Sequence, residues 1–379
     1  MQAHSNNQHD TVVGLDVGDK YTHLCVLDNH SAEVLESARI PTSRAALKRR
    51  FSSQTSELLV LEVGPHSRWI SDLLAELGHS VLLANPRRVR LISQSDSKSD
   101  KADAETLARL GRADPKLLHP VTHRSRESQA DLAVLRARDS LVRLRTALIN
   151  HVRGILKSFG EKVPSCSSEV FARRARGVLT EELMPALAPL LDQLDELTKR
   201  IAAYDKTIDQ LAEKHSESKR LTAIKGVGNL TALAFLLTLE DPHRFYPSRA
   251  VGSYLGLRPK SRESGESKPQ LGITKAGDSF VRRLLIQASH YILGPFGPDS
   301  DLRRWGLKLK NRGGKAPAQR AAVAVARKLG ILLHRLWLTE EAYEPLRRPE
   351  ENLEFQTKPR TRSRTQLCES VDELVEVGG

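Results

Sequence analysis

Aromatic residues make up only 4% of this 379-residue chain, so platforms for stacking nucleobases are few and no aromatic RNA-recognition signature is present. Three cysteines, Cys25, Cys166 and Cys368, fall at unrelated positions without metal-ligand spacing and read as ordinary reduced thiols. No stretch approaches the roughly 18 uninterrupted apolar residues of a membrane span. The opening "MQAHSNNQHD" lacks the apolar core of a signal peptide. The expectation is a cytoplasmic protein with no membrane partner.

Positive charge, by contrast, is plentiful. Lysine and arginine number 59 against 46 acids, a net charge of +13, and such an excess points to a polyanionic partner, nucleic acid first. The length suits two or three domains.

Segment by segment, the chain changes character. A polar leader covers 1–10. "TVVGLDVGDKYTHLCVLD" reads as two strands joined by a turn at Gly18 and Asp19, followed by further extended sequence and a helix containing "AALKRRF". "ELLVLEVG" has the continuous apolar pattern of a strand covered on both faces, "HSRWISDLLAELG" is a helix ending at Gly78, and "HSVLLANP" is another short strand. Residues 11–125 therefore predict a mixed α/β domain. Residues 126–217 turn to long helices. One is amphipathic, with arginines at 136, 138, 143, 145 and 153. Another carries a heptad seam through Leu190, Leu194, Leu197, Ile201, Tyr204, Ile208 and Leu211. That seam suits an antiparallel partner in the same chain or a dimer, and an arrangement that also serves assembly is preferred. Residues 218–345 predict a mostly helical domain containing a long polar loop, and 346–379 a disordered tail.

Four acids stand out. Asp16 lies within an apolar strand, where an ionised side chain is costly without a partner, and Glu62 ends a buried strand. Neighbouring strands would bring the two within reach of one ion. Asp100 and Asp103, at i and i+3, share a helix face. Each acid alone has an ordinary explanation as a turn cap, a strand end or a helix N-terminal acid favoured by the macrodipole. Together, hard oxygen ligands of this kind suit magnesium, or manganese, and a metal pair is a recurring device for phosphoryl transfer. Arg87, Arg88 and Arg90 precede the Asp-x-x-Asp helix as a basic run fit for a polyanion. "KGVGN" has a helix-hairpin-helix look in which Lys225, Gly226 and Gly228 could meet a phosphate, though a plain turn gives the same five residues.

The order of these acids, strand, strand, then helix, resembles the ribonuclease H-like fold in its RuvC version. With "GLDVGDKYTHLCVLD", "LEVGPHSRWISDLLAELGHSVLLANPRRVR", "SKSDKADAETLARL", "LTAIKGVGNLTALAFL" and "YLGLRPKSRESGESKPQLGITKAGDSFVRRLL", the chain resembles DEDD transposases of the insertion-sequence-110 family from about residue 11 to about 345. The resemblance implies a RuvC-like catalytic domain over 11–125, a helical coiled-coil middle and a C-terminal transposase domain. Its four acids fall on Asp16, Glu62, Asp100 and Asp103. It also implies a serine that attacks DNA to form a phosphoserine link, best matched by Ser264, with Ser261 and Ser267 as alternatives. That loop holds no histidine base, so activation would have to come from the acidic site. Lys268, Lys275, Arg282 and Arg283 become candidate phosphate contacts. The implied partners are donor and target DNA, a structured noncoding guide RNA, and further copies of the chain as a dimer or tetramer. Two rivals use the same residues differently: a hydrolytic Holliday-junction-type nuclease with water as nucleophile, and a nucleic-acid-binding scaffold with a vestigial acidic cluster.

Overall fold

The computed structural model describes residues 9–52, 55–87, 99–262 and 271–347. The chain divides into two compact units, residues 1–124 and 125–379, so the long helices and the C-terminal helices belong to one body.

In the first unit, β1 (Thr11–Val17), β2 (Tyr21–Asp28), β3 (Val34–Pro41), β4 (Leu58–Glu62) and β5 (Ser80–Ala84) form one sheet in the order β3-β2-β1-β4-β5. β1 pairs antiparallel with β2 and parallel with β4. Among the described residues three α-helices cover it: α1 (Arg44–Phe51), α2 (Ser67–Glu76) and α3 (Asp100–Ala113). Alternation of side chains explains the layers. Val13, Leu15, Leu59 and Leu61 point to the face shared with Leu47, Phe51, Ile70 and Leu74 of α1 and α2. Val12, Leu58 and Val60 point the other way, onto Leu107 of α3, and Cys25 and Leu27 meet Ala104 and Ala108. The central strands are buried on both faces, whereas β3 is a largely exposed edge with Glu36 and Arg39, a charge pattern that discourages edge-to-edge pairing. This arrangement is consistent with the expected ribonuclease H-like domain.

The second unit starts with α4 (Arg126–Ser158), capped by the Ser125 hydroxyl accepting from Ser128 N. Short α5 (Phe171–Arg176) follows, then α6 (Met184–Lys214). Arg138 pairs with Asp205, and Arg145 donates to Thr198, so α4 and α6 run antiparallel. The heptad seam is used inside the chain: Leu194, Leu197, Ile201, Ile208 and Leu211 are buried, joined by Leu187 and Leu191, while Leu190 and Tyr204 are only half-buried. The pair has two cores. One, around Ile149, Val152, Phe171, Leu187 and Leu194, belongs to its distal end. The other joins Leu132, Leu135, Ile208 and Leu211 to the C-terminal helices.

Those helices are α7 (Glu217–Thr222), α8 (Asn229–Leu239), α9 (Ala250–Tyr254), α10 (Ser279–Leu293), α11 (Asp301–Lys310) and α12 (Pro317–Thr339). α8 is apolar nearly all round and buried over Thr231–Leu239, as a central core helix must be. Among the described residues no helix is long and apolar enough to cross a membrane.

Candidate active site

Period-two alternation puts Val12, Gly14 and Asp16 on one face of β1. The parallel register pairs Gly14 with Val60 and Leu15 with Leu61, and its next step sets Asp16 beside Glu62 at the carboxyl ends of both strands. Both carboxylates are half-buried.

Helix α3 reaches the same place because two glycines let it lie close on the sheet. A Cβ on Gly14 would stand 1.9 Å from the Ala104 carbonyl oxygen and 2.6 Å from the Ala108 nitrogen. Toward the other end of the strand, a Cβ on Gly111 would meet Val60 Cγ2 at 2.5 Å and Val12 Cγ1 at 3.5 Å. The helix therefore runs antiparallel to β1, and its first turn, with Asp100 and Asp103, lies toward the sheet edge that carries Asp16 and Glu62. The Ser99 hydroxyl accepts from Ala102 N at 3.2 Å and starts the helix there. Asp103 is half-buried and Asp100 exposed.

A donor set of four carboxylates is what a hard divalent cation takes. Among the described residues no three His, Cys, Asp or Glu side chains stand close enough to hold one metal ion. The four acids fit such an ion by donor chemistry and by the sheet edge they share. The segment 88–98, which leads into that turn, lies outside the described residues, and Arg88 and Arg90 with it; Arg87 is exposed.

The same edge holds residues that sequence reasoning passed over. The β1–β2 pairing sets Val17 opposite Thr22 and Asp16 opposite His23, with Gly18 N donating to Tyr21 O across the turn. Two residues, Asp19 and Lys20, lie between the bonded Gly18 and Tyr21, so the turn sits one residue further along than Gly18 and Asp19, and this position sets which residue faces Asp16. On β3, Arg39 lies opposite His23, so Arg39, His23, Asp16 and Glu62 form one row across the sheet. Beyond the strand ends, His66 Nε2 meets Asp19 Oδ1 at 3.0 Å, and Trp69 Nε1 donates to His66 Nδ1 at 3.2 Å. An indole N–H only donates, so the imidazole proton sits on Nε2 and faces Asp19. This contact ties the β1–β2 turn to the segment after β4, next to the acids. Cys25, on the α3 face, has its thiol pushed up by burial and then by Glu105, which keeps it neutral and unreactive.

In the second unit, the polar loop springs from a short antiparallel bridge. Pro259 pairs with Ile273, Lys260 N donates to Gly272 O at 2.9 Å, and Thr274 N donates to Arg258 O at 2.9 Å. Ser261 is described and exposed, whereas Ser264, Ser267 and Lys268 lie outside the described residues. Behind the bridge, Gly256 and Gly277 take φ of +69° and +68° and pack against the backbone of Ala276 and Tyr254, where a Cβ would clash at 2.1 and 2.0 Å. Arg282 holds this junction by donating to Leu255 O at 3.0 Å and Ala276 O at 2.6 Å. Arg283 donates to Asp139 Oδ1 at 2.7 Å and lies over the Phe280 ring. Both arginines are thus built into the fold's own contacts. Lys275 lines a cleft beside the loop.

"KGVGN" lies in the link between α7 and α8. Gly226 takes φ of +101° and packs against Tyr291 and Ala288, Lys225 is exposed, and Gly228 opens α8 with nothing near its Cβ position.

Comparison with known proteins finds two family models along the chain. Residues 13–160 match the model of DEDD transposases of the IS110 type, and residues 218–299 match the model described as "Transposase IS116/IS110/IS902 family". A probable family 20 transposase of Pseudomonas aeruginosa is 30% identical over 341 residues, covering 88% of this chain and 98% of the relative. The transposase of insertion sequence element IS1111A of Coxiella burnetii is 29% identical over 346 residues, covering 88% and 91%. A pilin gene-inverting protein of Moraxella lacunata is 20% identical over 330 residues, covering 84% and 93%.

Proposed function

Because the chain belongs to the IS116/IS110/IS902 family of insertion-sequence transposases, enzymes that recombine DNA, we propose that it exchanges DNA strands by phosphoryl transfer through a phosphoserine intermediate. The observation that carries this reading is the row of acids at one sheet edge, with Asp16 beside Glu62 and the first turn of α3 laid toward them.

Asp16, Glu62, Asp100 and Asp103 would hold divalent cations, magnesium by preference, with manganese as a substitute. Bound there, such ions would supply positive charge to a transferring phosphoryl group. The chain supplies the rest. Ser264 Oγ loses its proton and forms a bond to phosphorus, while the bond from phosphorus to one deoxyribose oxygen breaks and that oxygen takes up a proton. A deoxyribose hydroxyl of the second strand then attacks the phosphoserine and returns the serine. One phosphoester replaces another at each step, so no net hydrolysis occurs. The +13 charge supports a further partner beyond donor and target DNA, a structured noncoding RNA that selects them by base pairing. The complex works as a dimer or tetramer, because two duplexes must be held together.

The test is a cleavage reaction with full-length protein, the RNA from the element's flank and donor DNA in magnesium, run on a denaturing gel before and after protease. We expect protein to remain attached to a cut strand, and the adduct to vanish in Ser264→Ala and in Asp16→Ala. Free ends without an adduct, with Ser264→Ala cutting normally, would replace this reading with a hydrolytic nuclease.

A further inference from the structure

The sheet face that carries the acids continues past them. Strand register sets one row across it, with Glu62 on β4, Asp16 on β1, His23 on β2 and Arg39 on β3. Two strand spacings, about 10 Å in all, separate Arg39 from Asp16. Alternation along β2 adds Tyr21 to the same face, the one on which Cys25 and Leu27 meet Ala104 and Ala108 of α3. Beyond that contact Tyr21 is 47% exposed and Arg39 is exposed. Arg39 faces His23 directly, and Tyr21 stands two residues along from His23, a diagonal that a long side chain spans. The guanidinium takes it: Arg39 Cζ lies 4.4 Å from the centre of the Tyr21 ring. A guanidinium held over a ring keeps its N–H donors, which lie in its own plane, clear of that ring. The flanking acids are engaged elsewhere, Glu36 on the other face of β3 with Arg50 at 2.7 Å, and Asp19 with His66 at 3.0 Å. Lys20, exposed in the turn before Tyr21, adds a second cation to the patch.

We propose that the Tyr21–Arg39 stack is a positioning site for the DNA strand undergoing reaction, with an unstacked base lying against the stack and a neighbouring phosphate on the Arg39 donors. The inference rests on the reading of the four acids as the site of phosphoryl transfer on DNA, and it names residues that would hold the strand beside them. Single strands are gripped by a flat π surface together with a cation, because every base has a face to stack and every nucleotide a charge to pair. Arginine suits both tasks, since its planar fork stacks on a ring and bonds a phosphate through its edge. The position in the row sets the register of the strand. A nucleotide anchored at Arg39, two strands away from Asp16, leaves the backbone of a following nucleotide to pass over the acids. An intact duplex keeps its bases stacked on one another and has no free base face to offer this surface. Arg39 also sits on an edge strand, where charge discourages pairing with another sheet. That task needs neither the ring beneath the guanidinium nor the alignment with Asp16 and Glu62.

The experiment uses the full-length protein and a labelled single-stranded oligodeoxynucleotide of mixed sequence carrying 5-iododeoxyuridine, without divalent cations so that no strand is cut. Anisotropy over a salt series gives affinity, and ultraviolet crosslinking followed by peptide mapping gives the place of contact. We expect a crosslink on Tyr21. Tyr21→Leu should remove it and weaken binding by about fivefold or more. Arg39→Gln should weaken binding and make the slope of log affinity against log salt shallower by roughly 0.7, one phosphate contact on a single strand. Arg39→Lys should restore the slope and leave the Tyr21 crosslink diminished, because an ammonium pairs with phosphate and does not stack as a plane. Arg49→Gln, an exposed arginine on α1, should leave affinity, slope and crosslink unchanged, and circular dichroism melts should show all variants folded. Crosslinks that map only elsewhere, or an unchanged slope in folded Arg39→Gln, overturn the proposal. So does a Tyr21 crosslink formed only with RNA of the same sequence or only with an intact duplex. Cleavage of donor DNA in magnesium separates this failure from that of the underlying reading. If Asp16→Ala cuts normally, the acids are not the reactive site. If Asp16→Ala is inactive while Arg39→Gln and Tyr21→Leu bind and cut as wild type does, the positioning site alone is refuted.

Discussion

The acidic edge of the first unit and the basic cleft of the second collect charges of opposite sign in opposite ways. At the edge, Asp16, Glu62, Asp100 and Asp103 sit on regular elements, and strand register and the close approach of α3 to Gly14 place them. In the cleft, Arg249 precedes a short helix, Lys260 and Lys275 flank a loop, and Arg312, Arg320 and Arg327 come from the end of one helix and the body of another. The edge is fixed by backbone geometry, which leaves these carboxylates little latitude. The cleft is lined by many long basic side chains drawn from several elements, each of which can adjust.

That contrast can be tested by damage of different kinds. Glu62→Gln keeps the shape of the edge and removes one anionic ligand. Strand cleavage should fall by about 10³-fold or more, while oligonucleotide affinity and melting temperature hold. Loss of strand binding in the same variant would mean that the acids and the strand grip are not separate functions. Gly14→Ala strikes the geometry itself. With a backbone oxygen 1.9 Å from the new Cβ, α3 must lift, and stability should drop by about 3 kcal/mol together with cleavage. Gly154→Ala, within α4 and with nothing near its Cβ position, should instead stabilise the chain by roughly 0.5–1 kcal/mol. Thermal melts of the pair give the sign of each.

Arg283→Gln separates structural cations from those that meet DNA. Among the described residues Asp139 would keep its ion pair with Arg143, at 2.8 Å, and lose the other, so stability should fall by about 1–2 kcal/mol with no change in the salt slope of DNA binding. A shallower slope would return Arg283 to the phosphate-binding set. The smallest effect is a pH dependence in the first unit. His123, bonded to Ser67 at 3.1 Å, is held below the ordinary histidine range by burial first and by Arg68 second. Between that lowered value and the ordinary 6.5, the unfolded chain binds more protons than the folded one, so stability rises with pH and is lost as pH falls below 6.5. Melts of His123→Gln from neutral to mildly acidic pH should show this slope flattened.

The legibility of the two regions in the sequence differs for the same reason as their construction. The strands β1, β2, β4 and β5 and the helices α2, α4 and α6 follow from apolar periodicity, and the four acids stood out because each interrupts or opens such a pattern. His23 was missed because the register of β1 on β2 depends on where the turn after Val17 falls, at Asp19 and Lys20 and not at Gly18 and Asp19, which composition does not settle. The heptad seam was legible, but Leu187 and Leu191 replace Leu190 at its distal end, where α5 adds its own apolar face around Phe171. Arg282 and Arg283 looked like free cations because nothing local in the sequence shows Leu255 O or Asp139 lying across from them.

By itself, then, the sequence determined the kinds of element, the division into an α/β part and a helical part, the net positive charge and the identity of the four acids. These depend on neighbours one to four residues away along the chain, where backbone periodicity alone sets which side chains share a face. Only the tertiary structure decided that Asp16 stands between His23 and Glu62, that Gly14 admits α3, and which arginines face a cleft rather than an aspartate. Those outcomes rest on contacts between residues tens to more than a hundred positions apart, which form only when the packed core brings the elements together.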